Sequence, residues 1–152
     1  MCGFVGIVDF SKEINMRKGQ DALESLKHRG PDAQGSWSDG HHIYLGHNRL
    51  SIIDVSKKAN QPFLSSKEDA LIVFNGEIYN YKELRNQLSF DSFITNSDTE
   101  TILEGYLEQG VEFFKKLRGI YAFVILDRRG PGQILMVRDP AGVKPLYYTV
   151  QN

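Results

Sequence analysis

Cysteine is nearly absent: the 152-residue chain has one, at position 2. A lone thiol excludes an internal disulfide and any multi-cysteine zinc site. It fits a reducing compartment, so the expected localisation is cytoplasmic. No apolar run approaches the roughly 18 residues of a membrane span. Residues 1–13 lack the basic and long apolar regions of a secretory signal, so Met1 and Cys2 are expected to be the protein's true start. Excess charge is missing too: 18 Lys and Arg against 19 Asp and Glu leave −1. That balance removes the electrostatic motive for general nucleic-acid or anionic-membrane binding. What is present is 41% apolar and 24% charged residues, globular proportions that argue against disorder. One fold of this size withdraws roughly 70% of its unfolded surface from water, enough for a core without metal or disulfides.

Periodicity orders the chain as strand, helix, strands, helices, strands. Residues 2–10 read as a buried strand whose Gly3 and Gly6 permit close approach. Residues 16–28 suit a helix with Ala22, Leu23 and Leu26 on one face, weakened by Gly19. Residues 29–35 form a loop. Asp39-Gly40 then joins residues 36–38 to residues 41–47 as a hairpin. On that strand His41 and His42 would point to opposite faces. Residues 50–53 are short and apolar, and residues 56–69, with Gln61-Pro62 inside, read as an exposed loop. The strand 70–74 runs into Asn75-Gly76, read as a tight turn with positive φ. Asn80 and Glu83 suggest a capped helix through Leu88; Ser97 and Glu100 repeat the device more clearly. Gly110 stops that helix, residues 111–117 form another, and strands follow at 120–126, 133–137 and 146–150. The element order predicts an α+β fold with helices covering sheets.

Chemistry has few candidates. Cysteine at position 2 is small enough for aminopeptidase removal of Met1. Cys2 would then carry a thiol and a free α-amine whose ordinary pKa is about 7.7–8.0, against about 10.4 for lysine. Such an amine can serve as a general base near neutral pH, and an N-terminal nucleophile with its own amine as base is a known route to acyl transfer. A small buried strand cysteine is the ordinary alternative. The four histidines read as hairpin and loop residues; none has the neighbours of a metal site. Asn75-Gly76 could supply a side-chain amide and an unhindered N–H to an oxyanion, or could be only a turn. Arg49 could clamp a carboxylate or be a solvated strand-end charge. Asp98, in a first helical turn, is stabilised there by the helix dipole in any case.

Read together, these segments closely resemble class II glutamine amidotransferase domains, the N-terminal-nucleophile type. The likeness is greatest to the glutaminase domain of glutamine-hydrolysing asparagine synthetases. It rests on Met1-Cys2-Gly3-Phe4-Val5-Gly6-Ile7, His28-Arg29-Gly30-Pro31-Asp32 and the run from Gly46 to Asp54. It continues through Gln61-Pro62, Asn75-Gly76-Glu77-Ile78-Tyr79-Asn80, Ser97-Asp98-Thr99-Glu100, Gly119-Ile120-Tyr121-Ala122-Phe123 and the run from Arg138 to Tyr148.

The resemblance implies a four-layer α/β/β/α sandwich and a role for each matching residue. Cys2 would attack the glutamine side-chain amide, and Asn75 and the Gly76 N–H would hold the oxyanion. Arg49 would bind the substrate carboxylate, and Glu77 and Asp98 its ammonium. Backbone groups of Leu50, Ser51, Ile52 and Ile53 would line the pocket. It also implies that residues 1–152 form a glutaminase domain truncated at its C-terminus relative to the family, without its last strands. The ATP-dependent synthetase domain, with its ATP and Mg, would be absent from this chain and supplied in cis or as a separate chain. No cofactor or metal is expected here; L-glutamine is the expected ligand, with no nucleic acid or membrane partner, and a homodimer is compatible. Three readings follow: ammonia supply for asparagine synthesis, ammonia supply to a sugar or peptide acceptor, and a catalytically silent docking or regulatory remnant.

Overall fold

The computed structural model describes residues 1–150. Two antiparallel sheets face one another. In the first, β3 (Ile43–Arg49) lies between β1 (Gly3–Val8) and β2 (Ala33–Ser38). In the second the order follows the chain: β4 (Phe63–Leu64), β5 (Ala70–Ile78), β6 (Gly119–Asp127) and β7 (Gln133–Arg138). Helix α1 (Met16–Ser25) covers β1 and β3; α3 (Asp98–Gln109) covers β5, with the short α2 (Tyr81–Arg85) packed on it. The four-layer α/β/β/α arrangement expected from the sequence is therefore present.

The pleat explains the layers, because alternate side chains of a strand point to opposite faces. Leu71 and Val73 of β5, with Val124 and Leu126 of β6, meet Ile43 and Leu45 of β3 between the sheets. Ile72, Phe74 and Ile78 point the other way and pack with Ile102, Leu103 and Tyr106 of α3. Each β5 residue from Ala70 to Val73 is completely buried, so this strand is the centre of the molecule.

Several local expectations fail. Asn75-Gly76 is not a turn: β5 runs on, pairing Asn75 with Ala122, Gly76 with Tyr121 and Ile78 with Gly119. Pairing to β6 overrides the local turn preference. Glycine is still required there, since a Cβ on Gly76 would stand 2.2 Å from the Ile120 carbonyl oxygen. Nor is 56–69 an exposed loop. It carries a 3₁₀ turn and β4, and Ala59, Gln61, Phe63 and Ser65 are buried. Asn80 stands at the N-cap of α2, but its side chain makes no capping bond. It bridges Arg118 N–H and Lys116 O instead, and α2 ends at Arg85. β1 is an edge strand, with only Gly3 buried. His41 and His42 sit in the turn before β3, where Asp39 Oδ1 accepts from both of their N–H groups. Residues 146–150 form no strand, and Tyr147 and Tyr148 are exposed. The Ser97 cap is as expected, with Oγ accepting from Glu100 N–H. The Glu100 carboxylate, however, takes Ile94 and Thr95 N–H groups instead of Ser97's.

Gly19 gains a reason. The Tyr44 ring lies flush on α1, and a Cβ at Gly19 would meet its Cδ1 at 2.6 Å. Helix propensity alone makes Gly19→Ala stabilising by about 1 kcal/mol. The clash makes it destabilising by about 1–3 kcal/mol, because the core is overpacked. Thermal unfolding should show a Tm lower by several degrees; an equal or higher Tm contradicts the packing.

Candidate active site

Along β3 the inter-sheet face reads Ile43, Leu45, His47, Arg49; along β5 it reads Leu71, Val73, Asn75, Glu77. Both stripes begin apolar and turn polar at the same end. A cavity of about 200 Å³ opens there, lined by Cys2, Arg49, Leu50, Asn75, Glu77 and Asp98 among others. Gly76, Ile52 and Ile53 also reach its wall. Ser51 does not; its N–H donates to Asp32 Oδ2 at 2.8 Å, anchoring the segment after β3.

Cys2 stands just before β1, where Gly3 pairs with Asn48. The Leu50 N–H donates to its Sγ at 3.4 Å. Burial pushes the thiol above its ordinary pKa, while contact with the Leu50 backbone, the chain's N-terminal charge and Arg49 pull it down, and Asp98 pushes it up. Arg29 Nε donates to the Cys2 carbonyl at 3.1 Å. The Cys2 nitrogen is in peptide linkage to Met1, whose Sδ accepts from Lys144 Nζ at 2.8 Å. Lys144 is itself buried and lines the cavity, with its N–H on Asp139 Oδ2.

Arg49 is no solvated strand-end charge. It is 6% exposed, and Nη1 donates to Ser56 O and Asn60 Oδ1, both at 2.8 Å, and Nη2 to Asp54 O. A guanidinium has five N–H donors. These bonds take three and leave Nε–H and one Nη2 hydrogen, a pair suited to a carboxylate.

On the other wall, β4 pairs only with Leu71 and Ile72, so among the described residues the edge of β5 beyond them has no strand beside it. In an antiparallel ladder the N–H and C=O of one residue point to the same side, alternating along the strand. Phe74, Gly76 and Ile78 all face this open edge. Gln61 Oε1 accepts the Phe74 N–H at 2.6 Å, and His47 Nε2 meets the Phe74 carbonyl at 3.0 Å. Asp98 Oδ2 accepts the Ile78 N–H at 3.0 Å. Between them the Gly76 N–H has no partner among the described residues, nor has the Asn75 side chain, although Asn75 is only 6% exposed.

Asp98 begins α3, and burial pushes its pKa up to about 6 against the N–H bonds from Ile78 and Thr99; the neighbouring Glu77 charge adds to the rise. Sequence reasoning assigned no role to His47, Gln61, Arg29 or Lys144. The signal available was their place inside segments that carry the family resemblance. Among the described residues, no group of three or more His, Cys, Asp or Glu side chains is arranged to hold a metal ion. No described helix is long and apolar enough to cross a membrane.

A glutamine amidotransferase domain family matches residues 1–152. Asparagine synthetase [glutamine-hydrolyzing] 1 of Bacillus subtilis is 41% identical, covering 100% of this chain and 24% of its own. A putative asparagine synthetase of Methanocaldococcus jannaschii is 38% identical over 97% of this chain and 32% of its own. Amidase chry2 of Gibberella zeae is 45% identical over 88% of this chain and 20% of its own. The chain thus spans between a fifth and a third of the length of these curated relatives. Among solved structures, glutamine phosphoribosylpyrophosphate amidotransferase from B. subtilis superposes with a TM-score of 0.77. It is 23% identical, over 95% of this chain and 38% of that one, a likeness of fold.

Burial holds the His47 pKa down to about 4, with the Arg49 charge adding to the effect. The unfolded histidine, near 6.5, binds a proton that the folded one refuses. Stability contributed by neutral His47 is full above about pH 6.5 and is lost as the pH falls toward 4. At about 1.4 kcal/mol per pH unit, unfolding in urea at pH 7 and 4.5 should show wild type losing about 2–3 kcal/mol more than His47→Gln. Asp98 titrates in both proteins and cancels. Equal losses contradict a neutral buried His47.

Proposed function

The chain belongs to the glutamine amidotransferase domain family, and on that premise we propose that it hydrolyses the side-chain amide of glutamine through a Cys2 thioester. The supporting observation is one cavity containing a thiol, two unpartnered amide-type donors, a cation with a free fork and two carboxylates. Glutamine brings the complements: an electrophilic amide carbon, a developing oxyanion, an α-carboxylate and an α-ammonium.

With Met1 removed, the Cys2 α-amine takes the thiol proton as Sγ attacks the amide carbon. The carbonyl oxygen becomes negative and is held by the Asn75 side chain and the Gly76 N–H. The C–N bond breaks, the α-ammonium returns its proton to the departing nitrogen, and ammonia leaves. Water, deprotonated by the same amine, attacks the thioester; glutamate departs and the thiol is restored. Arg49 holds the substrate carboxylate through Nε and Nη2, and Glu77 and Asp98 hold its ammonium. Binding of that cation draws Asp98 back toward the ionised form.

The ammonia serves an ATP-dependent synthetase domain, in cis or on another chain, where ATP and magnesium act. Asparagine synthesis is the first reading, on the likeness to two asparagine synthetases over nearly the whole chain. The likeness to a fungal amidase supports a second, in which the same glutaminase feeds another acceptor. In both, residues 1–152 form the glutaminase domain.

Cys2→Ala should abolish hydrolysis and Cys2→Ser leave at most a trace, because a hydroxyl is a poorer nucleophile than a thiol at neutral pH. Ammonia release by purified, mass-verified variants checks this; near-normal turnover by Cys2→Ala ends the assignment.

Asn75 and Arg49 should differ in kinetic signature. Asn75→Ala removes a donor aimed at charge that exists only in the transition state and its intermediate, so kcat should fall about 10²–10³-fold with KM nearly unchanged. Arg49→Ala removes a contact to a charge that does not change, so KM should rise at least about tenfold. It also releases the 54–60 segment and should lower Tm. An Arg49→Ala defect confined to kcat would show the two roles to be misassigned.

A further inference from the structure

The Phe74 peptide is held by two side chains to which the hydrolysis itself gives no work. His47 crosses from β3 in the first sheet to the Phe74 carbonyl in the second at 3.0 Å. It is completely buried, and its Nδ1 has no partner among the described residues. A carbonyl accepts only, so Nε2 carries the proton and Nδ1 the lone pair. Gln61 accepts the Phe74 N–H at 2.6 Å and passes its own Nε2–H to Thr99 Oγ1 at 3.4 Å. Thr99 follows Asp98, so Gln61 ties β5 to the start of α3.

These bonds stand where a ladder partner is missing. β4 begins only at Phe63, opposite Ile72, so past Ile72 the edge of β5 would otherwise present bare peptide groups to the interior. Satisfying Phe74 on one side and Ile78 on the other leaves the Gly76 N–H as the unpartnered donor of that edge among the described residues. The Phe74 carbonyl belongs to the peptide that leads into Asn75 and the Phe74 N–H to the peptide before it, so the two bonds fix the backbone from which the Asn75 side chain leaves the strand. The His47 bond further spans the gap between the sheet that carries Cys2 and the sheet that carries Asn75.

We propose that His47 and Gln61 are positioning residues for the oxyanion site: they stand in for the absent strand partner at Phe74, aim Asn75 and Gly76, and fix their distance from the thiol. The proposal rests on the glutaminase reading above. Small displacements of a preorganised donor cost catalysis without weakening ground-state binding.

The test uses the Met1-processed protein and four variants. His47→Leu and Gln61→Met remove the hydrogen bonds at similar volume. His47→Gln keeps a donor near Nε2, and Gln61→Glu keeps an acceptor for the Phe74 N–H. His47→Leu and Gln61→Met should lower kcat for glutamine at least about tenfold with KM within about twofold. His47→Gln should recover most of the lost kcat. Alkylation of Cys2 by iodoacetamide needs no oxyanion site and should proceed at the wild-type rate in every variant. If His47→Leu does not fold, Gln61→Met against Gln61→Glu carries the same comparison. Wild-type kcat in both removal variants overturns the positioning roles, as does a loss confined to KM or an equal fall in alkylation. A wild-type protein that releases no ammonia from glutamine overturns the glutaminase reading, and this proposal with it.

Discussion

Two strands, one from each sheet, face each other across the inter-sheet core, and their pleat decides where His47, Arg49, Asn75 and Glu77 stand. Each contributes a stripe of alternate residues, apolar at one end and polar at the other. Slipping either strand by one residue would turn Asn75 or Arg49 to the opposite face and bury it against a helix. The packed cores oppose that slip, because in β5 it would drive Ile72 and Phe74 into the space that Leu71 and Val73 fill between the sheets, and the reverse on the helix side. The same burial that stabilises the sandwich therefore specifies the register of the site.

Desolvation sets the character of the charges at that polar end. Arg49 is buried and donates to three carbonyl-type acceptors of the 54–60 segment, which make it the anchor of one cavity wall. Asp98 has no salt bridge among the described residues, and burial, with the Glu77 charge beside it, pushes its pKa up to about 6. A ligand that brings an ammonium to Asp98 and a carboxylate to Arg49 relieves both. Buried groups of this kind destabilise the empty protein and are matched when occupied.

Much of this was legible in the chain. The α+β class followed from the order of apolar stretches, and the four-layer sandwich and the candidate site residues from segments that resemble a family along the whole length; of those residues the structure gathers all but Ser51 around one cavity. The failures share a cause: local chemistry was read where distant contacts decide. Asn75-Gly76 has the composition of a turn, yet nine consecutive β5 residues pair with β6 and carry it through as strand. Gln61 lies in a polar stretch, and only the shortness of β4 makes its side chain a substitute for a strand partner. His47 carries no neighbour in sequence that marks it as buried; its burial comes from the sheet opposite. Asn80 satisfies backbone groups at 116 and 118, residues that no local capping rule would connect to it.

The central claim is that one residue supplies both nucleophile and base. It is tested most directly by comparing glutamine hydrolysis in two mass-verified forms: one with Cys2 as a free N-terminus, one with an uncleaved residue before it. The account predicts turnover in the first and none in the second, although both keep the thiol. Equal turnover in the two forms would contradict it and assign the base to a different group.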